Sequence, residues 1–410
     1  MSGAGKCRRI AVYISTAWRL CAALCLIVIL CICININTVL ASEQDATDQG
    51  ISAVTEGLTD DLLGELQTGD LENFLNDQSA DAAMDLSFSE LIGALLSGEQ
   101  VLDGQTVWNW FVNHCFDAVH SNREYLAQML VLLLAFAMLQ GITGIFSNAF
   151  LSDMSFLAVY FLFLYNALRV FSSMQEVTYR CLDRMGEFTM LIQPVFCMAI
   201  VFSSGVNSAS LTYEILLLVL YLVQTLLQKI LFPLIFLYLI TQFANYAWKE
   251  EHFSSMARLL ESGVVYAQKI LVAFVLGLNL IQGMVAPAVD QLRRSATVRT
   301  IGVIPGLGGA MNSVSEILLG TGILIKNSVG ATAVILLVLL CAKPLLEIGI
   351  LTLVYRILAA VSEPVTDKRI SGVLDALAKT GLLYAKLVVT AILMLFLSVT
   401  VVCMATGAGG

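Results

Sequence analysis

Charge is what this chain has least of. Asp, Glu, Lys and Arg together make up 13% of its 410 residues, about half the share found in soluble globular domains. With 58% hydrophobic residues and a mean hydropathy of +0.84, that scarcity excludes a soluble fold and predicts a multi-spanning membrane protein. Basic residues are missing altogether between Arg19 and Arg123, whereas Asp and Glu recur through the interval. The net charge of −9 argues against a nucleic-acid partner, although the total conceals this uneven distribution.

The residues that usually carry chemistry are scarce or badly spaced. His114, His120 and His252 are the only histidines, and none stands at a catalytic or metal-ligating distance from Asp or Cys. No HExxH or GxSxG pattern is present. Of ten cysteines, Cys7, Cys21, Cys25, Cys31 and Cys33 fall in or beside the first apolar run, where Cys behaves as a small hydrophobe. The other five, Cys115, Cys181, Cys197, Cys341 and Cys403, are scattered singly with no CxxC pair, which leaves Cys115 as the sole disulfide candidate. A glycine-rich turn at Pro305, Gly306, Gly308 and Gly309 lacks the Gly-Lys-Ser/Thr that a phosphate loop requires. The residues therefore imply no enzyme, no metal and no cofactor.

What is present is a succession of helices. Lys6, Arg8, Arg9 and Arg19 precede an apolar run over residues 20–34, and Val39-Leu40-Ala41 offers small or branched residues where a signal peptidase reads. Residues 1–41 are thus expected to be a signal peptide cleaved after Ala41, the alternative being an uncleaved anchor. An exported, acidic, helical region is expected over 42–123, where Ile51, Val54, Leu58, Leu62 and Leu66 recur at helical spacing. Apolar runs follow at 126–146, 156–171, 188–202, 211–247, 264–289, 329–361 and 382–404. In hydrocarbon their backbone groups must be bonded internally, so they are expected to be helices. The expected fold is all-α and polytopic, with transmembrane helices and polar amphipathic linkers over 124–289, a glycine-containing amphipathic joint over 290–328, and C-terminal transmembrane helices over 329–410.

Two of these runs exceed a single straight crossing. The run at 211–247 holds Lys229 and Pro233, and the run at 329–361 holds Lys343, Pro344 and Glu347. Each is either a tilted helix kinked at proline or a pair of half-helices meeting at the charges. Ionisable residues this deep mark a polar pathway or a buried pair. Lys343 and Glu347, four apart, share a helix face and can neutralise each other, so Lys229, Lys343 and Glu347 are the candidate polar set. Glu214, Lys269 and Lys386 stand near enough to helix ends to snorkel.

An internal likeness joins Leu259-Leu260-Glu261-Ser262-Gly263-Val264-Val265-Tyr266-Ala267 to Leu377-Ala378-Lys379-Thr380-Gly381-Leu382-Leu383-Tyr384-Ala385, without gaps. Cys181-Leu182-Asp183 against Val373-Leu374-Asp375 hints at a third copy. Either a membrane unit is duplicated, in which case the working surface is expected at the junction of copies, or amphipathic helices coincide by chance. With the signal removed and each later run crossing once, the joint faces the cytoplasm, but Arg180, Arg184, Lys249, Arg258, Lys368 and Arg369 then fall outside, against the positive-inside rule. Either some runs cross twice or these linkers lie within the membrane assembly.

The wording of the joint is specific: Arg299-Thr300-Ile301-Gly302-Val303-Ile304-Pro305, the turn at Gly306 to Gly309, then Leu324-Ile325-Lys326-Asn327-Ser328-Val329-Gly330. Together with the leader, the acidic exported region and the C-terminal pair of apolar segments, it resembles the stage III sporulation protein AE family. The likeness extends in layout over most of 42–405, and in specific residues over about 290–400. This chain departs from the family's pattern in its long, Cys-rich leader, which puts its processing in question. The resemblance implies a multi-pass protein of the mother-cell membrane around the forespore. It also implies a non-enzymatic part in the channel complex that joins the two cells, with a secretion-type ATPase, ring-forming proteins and a forespore-side protein as partners beside membrane lipid. Within the joint, Arg299, Gly302, Pro305, Gly306, Lys326 and Asn327 are the candidate assembly residues.

Overall fold

The structure is a computed structural model that describes residues 69–82, 88, 91–93, 104–143, 149–204, 214, 218–247, 253–301, 308–364 and 366–407. The chain divides into two units, Met1–Glu65 and Leu66–Gly410, and every described residue belongs to the second. Among the described residues there is no strand. The helices in chain order are α1 (Gly69–Ala82), α2 (Gly104–Ser121), α3 (Arg123–Thr143), α4 (Ala149–Ser204), α5 (Leu218–Ala247), α6 (Ser254–Ile301), α7 (Gly308–Ser362) and α8 (Lys368–Gly407). Segments of α4, α5, α6, α7 and α8 are long and apolar enough to cross a membrane. The expected signal peptide over 1–41, the start of the expected acidic region over 42–68 and the glycine turn over 302–307 lie outside the described residues.

Apolar runs that the sequence separates are continuous here. Residues 156–171 and 188–202 belong to one 56-residue helix, α4, about 84 Å long. The charged stretch between them remains helical because its buried stripe never breaks: Val170, Met174, Thr178, Cys181, Met185, Phe188, Ile192 and Val195 succeed one another at spacings of three and four. On the opposite face Glu176 and Arg180 pair at 3.4 Å, four residues apart. Thr178 and Thr189 donate their hydroxyls to the carbonyls of Met174 and Met185, so neither buries an unmade bond.

Among the described residues the two overlong runs are likewise continuous, with 218–247 in α5 and 329–361 in α7. In α5 the turn over Leu227–Leu231 is a π-helix, and the N–H of Phe232 donates to the Leu227 carbonyl, five residues back. Pro233 explains the wide turn. It has no N–H for the Lys229 carbonyl and its ring would press on that carbonyl, so an extra residue in the turn relieves the clash without ending the helix. In α7 the helix passes through Pro344, and Ser328, Val329, Gly330, Ala331, Thr332, Ala333 and Val334 are all buried. A helix apolar on every side is one surrounded by protein or lipid.

The C-terminal helix lies at the centre. α8 packs against α4, α5, α6 and α7, and 61% of its apolar span is covered, against 22–33% for the other four. Its start is fixed by Asp367, whose carbonyl accepts the N–H groups of Ile370 and Ser371. The α5–α6 connection is tied by the buried Asn245, whose side-chain oxygen accepts the Phe253 N–H at 2.9 Å. Closer to the N-terminus, α1 packs on α4 and α7 through Leu71 and Phe74, and α2 packs on α7.

Two glycines let neighbours approach α8. A Cβ on Gly381 would collide with Thr352 of α7 and meet Met174 of α4, while one on Gly372 would occupy the Tyr246 ring of α5. Gly263, matched to Gly381 in the internal likeness, has nothing within 4 Å. The likeness therefore holds in sequence and not in environment: Tyr384 is fully buried against Phe171 and Phe232, and Tyr266 is exposed. Gly381→Ala is expected to destabilise the protein by about 1–3 kcal/mol through overpacking. Gly263→Ala should be neutral or stabilising by up to about 1 kcal/mol. Thermal unfolding of the two variants in detergent checks the contrast.

Candidate functional site

Of the joint residues, Arg299 lies in the last turns of α6, Lys326 and Asn327 lie in α7, and Gly302, Pro305 and Gly306 fall outside the described residues. Lys326 is completely buried. Lys229 occupies the π-turn of α5 with its side chain exposed. Lys343 and Glu347 flank Pro344 on α7, and the structure joins them to groups on other helices. The Glu347 carboxylate accepts from the Asn122 side chain at the α2–α3 junction and feels the charges of Lys343 and Arg180. Asn122 also donates to the Ala118 carbonyl at 3.0 Å, which fixes its amide. Lys229 has no part in this group.

A larger polar arrangement runs along α8, where α5 and α6 meet it. Lys379 Nζ contacts Asp375 Oδ2 at 3.0 Å on α8 itself. Tyr238 of α5 and Glu261 of α6 both lie within electrostatic reach of Lys379, and Gln242 Nε2 donates to the Tyr238 hydroxyl at 3.4 Å. Further along, Lys386 lies near Glu261 and Lys269. Towards the start of α8, Arg369 is near Tyr160, whose hydroxyl donates to the Phe243 carbonyl at 3.1 Å, and Tyr246 fills the space above Gly372. From Arg369 to Lys386 this seam extends about 26 Å along the helix, close to the roughly 30 Å of a bilayer's hydrocarbon.

Each element brings what the next requires. The α5 side chains Tyr238, Gln242 and Tyr246 recur every four residues and so share a face. That face lies against α8 from Gly372 to Lys379, and Glu261 enters from α6. A lysine in an apolar surround is tolerable when carboxylates and hydroxyls meet it, and Lys379 has Asp375, Glu261 and Tyr238. The arrangement can hold helices in register, or carry polar species through an apolar region. Among the described residues no group of three or more His, Cys, Asp or Glu could hold a metal ion.

Sequence reasoning overlooked this seam, and the signal was in the internal likeness. Glu261 and Lys379 are matched positions of opposite sign, and Gln268 and Lys386 match in the same register. The charged positions of the two copies face one another. Helix by helix, Lys386 and Lys269 read as snorkelling residues, since the neighbour that meets Lys386 lies on another helix.

Comparison with known proteins gives one consistent result. The family model for stage III sporulation protein AE matches residues 86–406. The stage III sporulation protein AE of Bacillus subtilis (strain 168) is 26% identical over 345 residues, which covers 83% of this chain and 80% of that protein. No solved structure matches.

If the Asp375–Lys379 contact stabilises the seam, then Lys379→Met and Asp375→Leu should each lower the unfolding midpoint, and the double variant should lose less than the two together. The expected coupling is about 1 kcal/mol, read from a double-mutant cycle on the full chain in detergent.

Proposed function

The chain belongs to the stage III sporulation protein AE family, and on that premise we propose that it is a non-enzymatic membrane component of the complex that joins the mother cell to the forespore. In this account it resides in the mother-cell membrane around the forespore. Its partners there are a secretion-type ATPase, ring-forming proteins and a forespore-side protein. The observation that carries the proposal is the family match over residues 86–406, which takes in almost all the described helices. Among the described residues, five helices long and apolar enough to cross a membrane support a multi-pass placement. Substitutions in the joint at Arg299, Gly302, Pro305, Gly306, Lys326 or Asn327 are expected to act on assembly.

The charged seam favours a second reading, a self-sufficient secondary transporter. The two are separated by isolating the full chain, tagged, from sporulating cells and by reconstituting it alone in liposomes. As a complex component it should co-purify with other envelope proteins of the sporulating cell, and its deletion should arrest forespore development. Recovery of the chain alone, together with substrate uptake by the liposomes, would replace the complex with the transporter.

A further inference from the structure

Among the described residues Gln228, Gln268, Thr332, Tyr355 and Tyr384 bury side-chain polar atoms without a hydrogen-bond partner, and Gln268 is the one on the Glu261 face of α6. It is 5% exposed, and its Nε2 has no hydrogen-bond partner. An unmade bond of this kind costs about 1–3 kcal/mol in a protein interior, and hydrocarbon offers nothing to replace it. Gln268 stands one heptad beyond Glu261 on α6, hence on the same side of the helix. That side faces α8, because Glu261 lies near both Lys379 and Lys386. The lipid side of α6 is elsewhere: Leu259, Tyr266 and Ile270 are 70%, 63% and 68% exposed and form a separate apolar stripe.

The seam also has an opening. The side chains of Lys379 and Asp375 are 31% and 38% exposed, so the seam is not sealed by protein at the level of Glu261, and an ion pair at such an opening draws water towards it. Gln268 lies about 10 Å further along α6, with Lys386 and Glu261 along the way. Buried water settles where two to four polar partners converge and an orphaned group needs one of them. Here a carboxylate, an ammonium and an unpartnered amide follow one another along the α6–α8 contact.

We propose that the α6–α8 seam is hydrated, with water entering beside Asp375 and Lys379 and extending between Glu261 and Lys386 to Gln268. The ligand is water itself, held inside the membrane-spanning part of the protein. This holds whether or not the chain serves in an intercellular complex. The seam is then an aqueous recess and not a dry ion-pair clamp.

The test is chemical access in the full chain, with native cysteines replaced and one cysteine introduced. A thiol must meet water to ionise and react. A charged, membrane-impermeant methanethiosulfonate is therefore expected to modify Gln268→Cys at least about tenfold faster than Ile270→Cys, which faces lipid at nearly the same depth. Equal, slow modification at both positions would overturn the proposal. A measurement on the wild type covers failure of the Gln268→Cys variant to fold. Radiolytic hydroxyl labelling, which marks side chains next to bound water, should oxidise the fully buried Tyr238 of the seam, relative to its intrinsic reactivity, well above the equally buried Phe188 of α4, which has no polar atom to hold water. Equal normalised labelling of Tyr238 and Phe188 would overturn the hydrated seam.

Discussion

An ammonium group among apolar helices has to be met by opposite charge or hydrogen bonding, and Lys379 imposes that demand on this protein. Asp375 answers from one turn earlier on α8, Glu261 from α6, and Tyr238 from α5. Three helices are thereby brought to one level. The requirement fixes register as well as proximity, since sliding α6 by a turn would take Glu261 away from Lys379 and leave the lysine with Asp375 alone. Apolar packing alone provides no such constraint among membrane helices, because lipid tails are as apolar as leucine.

Close approach makes those contacts possible. Gly372 and Gly381 remove side chains where Tyr246 and Thr352 cross α8. The helices beside it adapt in different ways. In α5 the proline is absorbed by a π-turn, whereas α4 carries its charged middle through on an unbroken buried stripe. Two groups of buried polar residues result. The α7 group ties Glu347 to the α2–α3 junction, and the α8 group joins α5 and α6. Between them they link the N-terminal helices and the C-terminal hub through charge and hydrogen bonding.

Much of the fold was legible in the sequence. Scarcity of charge and the length of the apolar runs predict an all-helical membrane protein, and the wording around Arg299 and Lys326 carries the family. The spacing of Lys343 and Glu347 puts them on one helix face, and Glu347 lies within electrostatic reach of Lys343. What could not be read was the continuity of α4. Its charged centre resembles a linker until Met174, Thr178, Cys181 and Met185 are seen to extend the stripe against neighbouring helices. The centrality of α8 was hidden too, since its Tyr384 and the exposed Tyr266 of α6 occur in matching sequence. Burial there depends on which helices arrive beside each copy, and a local pattern does not encode that. The seam was half visible, because the Glu261–Lys379 match was present but its meaning required the two copies to face each other.

The most direct test of the charge-centred account is solid-state NMR of the full chain in lipid bilayers, with ¹⁵N at Lys379 Nζ and ¹³C at the side-chain carboxyls. The account predicts dipolar dephasing of the Lys379 nitrogen by the carboxyl carbons of both Asp375 and Glu261. Dephasing by Asp375 alone would confine the pairing to α8 and contradict the claim that this lysine brings three helices together.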